Sequence, residues 1–209
     1  MSKRGGRRGG ALVPSPQYLS GPVHFRVVQQ VGGQALAEIG IDYSRADIPD
    51  RSYYADHVDV QRARSGISLL FGKLMPGASR LRTQVEVVFP DDMFVRQLWR
   101  SSREMHKSLE ENRGKLGTIQ EISEVEGTDK VQTFRSNNVF LGQWGDEAVA
   151  DFYYISPRDF YYAKEGLRTV SLEPVVRIAM HPGLILELLD KCRGFASTLE
   201  SSIEEVTQI

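Results

Sequence analysis

The chain is poor in the residues that build covalent or metal frameworks. Among its 209 residues there is a single cysteine, Cys192. One thiol excludes an intramolecular disulfide and a thiolate metal cage within one chain. The four histidines, His24, His57, His106 and His181, are scattered, and none stands in an HxH, HxxxH or HExxH arrangement. Metal-ligand spacing is therefore missing from the sequence. No apolar run approaches the roughly 18–20 residues that span a bilayer. Ala11-Leu12-Val13 runs straight into Pro14, too short for the apolar region of a signal peptide. Net charge is almost absent as well, at −1, which leaves no whole-molecule field to attract nucleic acid or anionic lipid. No phosphate loop, dinucleotide fingerprint or nucleophile elbow occurs. These absences predict a cytoplasmic protein, not an enzyme, with no cofactor, no metal, no membrane contact and no evident small-molecule substrate.

What is present is an ordinary globular composition, 41% hydrophobic and 25% charged, in a chain long enough to bury a core. Charge is placed unevenly. Lys3, Arg4, Arg7 and Arg8 sit in a Gly-rich stretch at the start, and Pro14, Pro16 and Pro22 follow before any apolar periodicity begins. Residues 1–22 thus read as a disordered basic arm. An Arg-Gly tract binds nucleic acid through phosphates and stacking, but four charges give only weak, salt-sensitive attachment. A solubilising tail is the plainer alternative. Residues 24–30 and 35–43 flank Gly32-Gly33 and predict an N-terminal β-hairpin.

Beyond the hairpin the chain repeats an order of elements. Residues 53–111 read strand, strand, strand, helix, and residues 137–201 read the same again. In the first run the strands fall at 55–61, 67–74 and 81–89. The last alternates Leu81, Thr83, Val85, Val87 and Phe89 against Arg82, Gln84 and Glu86, the period of two that a half-buried strand requires. Pro90 ends it, and a helix to about Glu111 carries Phe94, Leu98, Met105 and Leu109 on one stripe. In the second run strands are expected at 139–143, 149–155 and 170–180, with Pro174 marking an edge or a bulge. A final helix from Pro182 carries Ile185, Leu188, Cys192, Phe195 and Leu199. Cys192 on that stripe is a core residue rather than a reactive thiol. The expected fold is α+β: two tandem β-β-β-α units forming a pseudo-dimer, behind the N-terminal hairpin. The expected domains are 1–22, 23–111, a connection at 112–136 that reads equally as strand or helix, and 137–209. A three-stranded sheet with one helix leaves a face uncovered, so each unit needs a partner surface.

The motifs carrying this order are Tyr54-Ala55-Asp56, Phe71-Gly72 and Val87-Val88-Phe89-Pro90 in the first run. Val176-Arg177-Ile178-Ala179-Met180-His181-Pro182 carries it in the second. They resemble the bacterial family called domain of unknown function 3467, over roughly 120 residues of both runs together. The resemblance implies a short bacterial domain with no catalytic residues to carry over, from which this chain departs in having two copies, an N-terminal hairpin and a basic arm. A looser likeness, of element order alone, is to SecB-like export chaperones, which implies binding of unfolded chains.

Two constellations remain. His57 lies between Asp56 and Asp59 and imitates a base with an orienting carboxylate, but the wet face of a strand is the better explanation. Asp151-Phe152-Tyr153-Tyr154 is echoed by Asp159-Phe160-Tyr161-Tyr162, a candidate hairpin around Ser156-Pro157-Arg158. Phe152, Tyr153, Tyr154, Phe160, Tyr161 and Tyr162 are either covered on both faces inside a sandwich or form a protein interface, where aromatics are enriched. The functional expectation is an adaptor or scaffold subunit that self-associates or joins other proteins in a larger bacterial complex. A chaperone-like binder and a nucleic-acid-associated protein using residues 1–10 are the alternatives.

Overall fold

The structure is a computed structural model that describes residues 17–18, 22–31, 34–63, 66–74, 80–91, 93–116, 124–126, 131–159 and 170–207. The basic residues Lys3, Arg4, Arg7 and Arg8 lie outside them, as do Phe160, Tyr161 and Tyr162. The chain divides into two compact units, residues 1–46 with 156–171, and residues 47–155 with 172–209.

The first unit holds the expected N-terminal hairpin. Strands β2 (Val23–Val31) and β3 (Gln34–Ile41) pair antiparallel, and β1 (Gln17–Tyr18) adds to β2. The His24 imidazole packs against Gly40, leaving no room there for a Cβ. After β3, Asp42 caps a 3-10 turn at Tyr43–Arg45, its carboxylate accepting from the Ser44 N–H at 3.1 Å and hydroxyl at 2.6 Å. The Ser44 hydroxyl is the main cause holding the Asp42 carboxyl below its ordinary range.

The second unit is α+β, built on two sheets. The first contains β5 (His57–Ala63), β6 (Gly66–Leu74) and β7 (Arg80–Phe89) as an antiparallel meander. Its far edge is extended by two short strands that run parallel to β7, β8 (Glu124–Glu126) and β9 (Gln132–Arg135). The second sheet contains β10 (Asn138–Trp144), β11 (Glu147–Tyr154) and β12 (Glu173–Met180), again an antiparallel meander. Its far edge is β4 (Ser52–Ala55), parallel to β12.

The pairing is reciprocal. β4 leads into the first meander but completes the second sheet, and β9 leads into the second meander but completes the first. The expected strand at 55–61 is thus two strands divided at Asp56, whose N–H donates to Gly72 O at 2.9 Å. The second half of the expected hairpin, at 159–162, lies almost wholly outside the described residues, and β11 itself lies between β10 and β12. After Tyr154 the chain turns helically at 157–159. Pro174 stands at a register shift opposite Tyr153, and its strand is interior. The bulge accommodates its missing N–H, and Pro174 also lies beyond the stretch Arg177–Met180 that pairs with β4, so both expectations hold locally.

Each meander runs into a helical segment. The first is broken at Ser102 into α1 (Met93–Ser101) and α2 (Arg103–Glu111). The second is the continuous α3 (Pro182–Thr207), which packs on α1, α2, β5 and β11. Its early residues Leu184, Ile185, Leu186, Leu188 and Leu189 are buried all round, as befits a helix enclosed by other elements.

The two sheets share one core. Val58, Leu69, Phe71, Val87 and Phe89 of the first join Ala150, Phe152, Val176 and Ile178 of the second in a single buried cluster with Phe94, Leu98 and Leu188 of the helices. The Phe152 ring touches Phe71 edge-on at 5.7 Å and lies 6.0 Å from Phe89, which stacks on Phe94 at 3.5 Å. The apolar face that each half leaves uncovered is met by the other half of the same chain.

Candidate functional site

Because side chains alternate along strands, each sheet has an outer face whose composition follows from the register. On the first sheet one cross-strand row reads Asp59, Leu70, Glu86 and Thr133, and the next reads Gln61, Ser68, Val88 and Arg135. This face is polar and internally satisfied. Glu86 accepts from the Ser68 hydroxyl at 2.7 Å and from the Thr133 hydroxyl at 3.0 Å. Asp59 accepts from Gln61 at 2.9 Å and from Lys191 of α3 at 3.2 Å. Burial alone would raise the Asp59 carboxyl, but these bonds and the Val60 N–H outweigh it and hold it low. His57, half-buried, is held below its ordinary range by burial first, with Glu187 opposing. Asp59 is therefore committed to Gln61 and Lys191, and the arrangement is a tie between β5 and α3.

The outer face of the second sheet differs. One row reads Tyr54, Ala179, Val149 and Gly142, and the next reads Ser52, Arg177, Asp151 and Phe140. The Phe140 and Trp144 rings close over Gly142, where a Cβ would lie 2.9 Å from each. Glycine is needed there for space. Gly145, at φ 60°, supplies the positive φ that the two-residue turn from Trp144 to Glu147 requires. Asp151 is 2% exposed and is held by Arg177 in a bidentate pair, both bonds 2.6 Å. That pairing raises the Arg177 guanidinium further. Burial, then the Asp151 charge, pushes the neighbouring Tyr153 hydroxyl up to about 12.

Among the described residues the exposed large hydrophobics are Trp144 and Ile48, each 62% exposed, and Tyr54 at 47%. Tyr54 and Trp144 lie on the second sheet, and Ile48 lies in the segment leading into its strand β4. The aromatics singled out from sequence are placed otherwise. Phe152 is fully buried in the core and Tyr153 is 2% exposed, so neither offers a surface to a partner. Tyr154 is half-buried. Covering on both faces, the plainer of the two expectations, holds for β11. Sequence reading passed over Trp144 and Tyr54. Their signal was the sequence Phe140-Leu141-Gly142-Gln143-Trp144, a strand with no charge whose one glycine lies between two aromatics.

Two other arrangements bear on chemistry. His106, Glu110 and Asp190 bring ligand atoms within 4.8 Å of one another, with His106 Nε2 2.9 Å from Asp190. Their carboxylates are already engaged. Arg113 pairs with Glu110 at 2.7 Å and with Asp190 at 3.1 Å, and Arg193 pairs with Asp190 at 3.1 Å. Two guanidiniums supply the positive charge that a metal would otherwise bring, and the cluster clamps α2 to α3. Sequence spacing missed it because Asp190 comes from a distant helix. A recess of about 290 Å³ is lined by Tyr53, Arg82, Thr83, Gln84 and Gln132, with the Tyr53 hydroxyl donating to Gln132 at 2.6 Å. Its lining lacks the apolar wall of an organic cofactor site. Cys192 is buried, and burial pushes its thiol up to about 12, the opposite of nucleophile activation. No helix among the described residues is long and apolar enough to cross a membrane.

The class these features define is an α+β protein with two interlocked sheets, one aromatic on its outer side. No family model, curated protein or solved structure matches the chain.

Proposed function

We propose that the chain is a non-enzymatic assembly module that associates with protein through a surface that includes Tyr54 and Trp144, on the edge strands of its second sheet, and Ile48 in the segment leading into it. The observation that carries this reading is the grouping of the exposed large hydrophobics on that sheet and its leading segment. An exposed apolar surface is a standing cost unless something covers it, and Trp and Tyr are the residues that anchor protein interfaces. The described polar clusters support the same reading, since each is closed on itself by salt bridges or hydrogen bonds. We also read residues 53–111 and 137–201 as copies of one ancestral unit, on the strength of their shared element order and reciprocal lead strands. In that reading the second copy kept an apolar outer face while the first became polar.

The test is the mass of the full chain in solution across the micromolar range, by sedimentation equilibrium. Association that grows with concentration is the expected result. A strict monomer throughout sinks self-association.

A further inference from the structure

We infer that the recess between β4, β7 and β9 is a binding site for a small monocarboxylate, gripped by the Arg82 guanidinium. This stands apart from the assembly reading, since none of its residues is among the exposed hydrophobics that carry that reading.

The first sheet is interrupted where the recess lies. On one edge of β7 the pairing with β8 ends at Arg82, and the pairing with β9 begins at Val85. On the other edge the register with β6 shifts, so that Gly72 stands opposite Thr83 and Phe71 opposite Val85. Gln84 is thus an extra residue, with no cross-strand partner on either side among the described strands. A bulge of this kind re-aims side chains and breaks the ladder. The recess of about 290 Å³ opens at that point, lined by Tyr53, Arg82, Thr83, Gln84 and Gln132. Its volume lies at the lower end of ligand sites.

The lining is chemically one-sided, with one cation and no carboxylate. The Tyr53 hydroxyl donates to Gln132 Oε1 at 2.6 Å. That bond engages the acceptor end of Gln132 and leaves its amide hydrogens to donate. The Arg82 guanidinium adds five N–H donors and no acceptor, and the Thr83 hydroxyl adds one donor more. Among the described residues no carboxylate pairs with Arg82, and no side chain bonds the Thr83 hydroxyl. A surplus of donors around one positive charge calls for an acceptor-rich anion. The planar guanidinium fork matches a carboxylate through two parallel bonds. A phosphate carries nearly two charges and is usually met by further cations or a helix N-terminus, neither of which lines the recess. Gln84 can donate to or accept from a second polar group on the ligand, such as a hydroxyl.

The wall behind the site is braced. The Phe134 ring lies 6.3 Å from Tyr53, and the Arg51 guanidinium lies over Phe134 at 5.7 Å. A braced wall keeps the ordering cost of binding low. Glu126 stands opposite Arg82 in the register of β7 with β8. An acid at that position lowers the local positive potential, so affinity is modest. A ligand of about six heavy atoms held in this way binds with a Kd on the order of 1 mM.

The probe is L-lactate, with lactamide as its uncharged control and inorganic phosphate as the rival anion. Each is titrated into the full chain, labelled with nitrogen-15, at constant ionic strength and followed by amide resonances. Lactate is expected to shift the side-chain amides of Gln84 and Gln132 saturably, and lactamide to leave them in place. Arg82→Gln is expected to weaken lactate about 10-fold or more, as loss of charged hydrogen bonds does, with resonances remote from the recess unchanged. Arg82→Lys keeps the charge but not the fork, and its affinity is expected to fall between the two. Lactamide acting like lactate overturns the carboxylate assignment, as does phosphate binding more tightly than lactate. A lysine variant that binds as tightly as the native chain overturns the two-bond grip. Lack of a saturable shift at Gln84 and Gln132, or a shift that Arg82→Gln leaves intact, overturns the site itself. All of these results leave the assembly reading untouched.

Discussion

The two sheets of the second unit share a meander, a helical segment and a borrowed parallel strand, yet their outer faces differ. At positions matched from the two-residue turns the first sheet has Gln61, Ser68, Val88 and Arg135, where the second has Gly142, Val149, Ala179 and Tyr54. Backbone topology is compatible with either set, because a strand in an antiparallel sheet needs only one buried face. What distinguishes them is what each outer face meets. The polar one closes its hydrogen bonds among its own residues and with Lys191 of α3. The aromatic one leaves Tyr54 and Trp144 in solvent. Similar scaffolds can therefore differ in function through the outward half of their residues alone.

The largest expected effect tests whether the halves are separable. Phe152 belongs to the second sheet but touches Phe71 and Phe89 of the first. Phe152→Ala should cost about 3–5 kcal/mol, the usual range for emptying a buried phenylalanine site. Urea unfolding followed by circular dichroism and by Trp99 fluorescence should still give one coincident transition. Two transitions would show that the halves fold independently and that the shared core is nominal.

Next in size is a contrast between outer faces. Asp151→Asn leaves Arg177 without its bidentate partner, and Arg177 is 25% exposed, so water recovers part of the loss. The expected cost is about 2 kcal/mol, below the 3–5 of a fully buried pair. Glu86→Gln keeps an acceptor for Ser68 and Thr133 and should cost under about 1 kcal/mol. Equal costs in thermal or urea unfolding would erase the distinction drawn between the faces.

The faces should also differ in alkali. Tyr153 ionises near 10 when unfolded and is pushed up to about 12 in the fold. A raised acid stays neutral in the native state longer than in the unfolded one, so its stabilisation is complete below pH 10 and disappears as pH climbs to 12. Buried Cys192 adds a window from about 9 to about 12 by the same sign. Tyr153→Phe should flatten the stability–pH slope between pH 10 and 12 without touching the portion from 9 to 10. An unchanged slope would mean Tyr153 is already hydrated. The smallest effect is expected at Lys191, where Lys191→Met removes a partly exposed ion pair with Asp59 and should cost no more than about 1 kcal/mol.

Much of the fold was legible. The clear period of two in residues 81–89 became β7 within a residue, and of the stripe Phe94, Leu98, Met105 and Leu109 all but the half-buried Met105 are buried. Pro174 announced its bulge. Other features were not, and for physical reasons. The break at Ser102 separates α1 from α2 with no proline to mark it. β4 and β9 are short strands of four residues each, and their partners lie in the other half of the chain. Four residues give too little periodicity to separate from the strand that follows. The run Phe152-Tyr153-Tyr154 read as core or as interface alike, because its aromatics alternate onto both faces. In the fold β11 is interior to its sheet, and both faces are covered.

From the order of residues alone came the α+β class, the N-terminal hairpin and the apolar side of the longer strands and helices. Those depend on periodicity and local chemistry, which a few neighbouring residues carry. Which half supplies the edge strand of the other, which aromatics end in the core and which in water, and where Asp151 finds Arg177 were settled only by the assembled fold. Each depends on surfaces that meet across long stretches of chain, and burial is a property of that meeting and not of the residue.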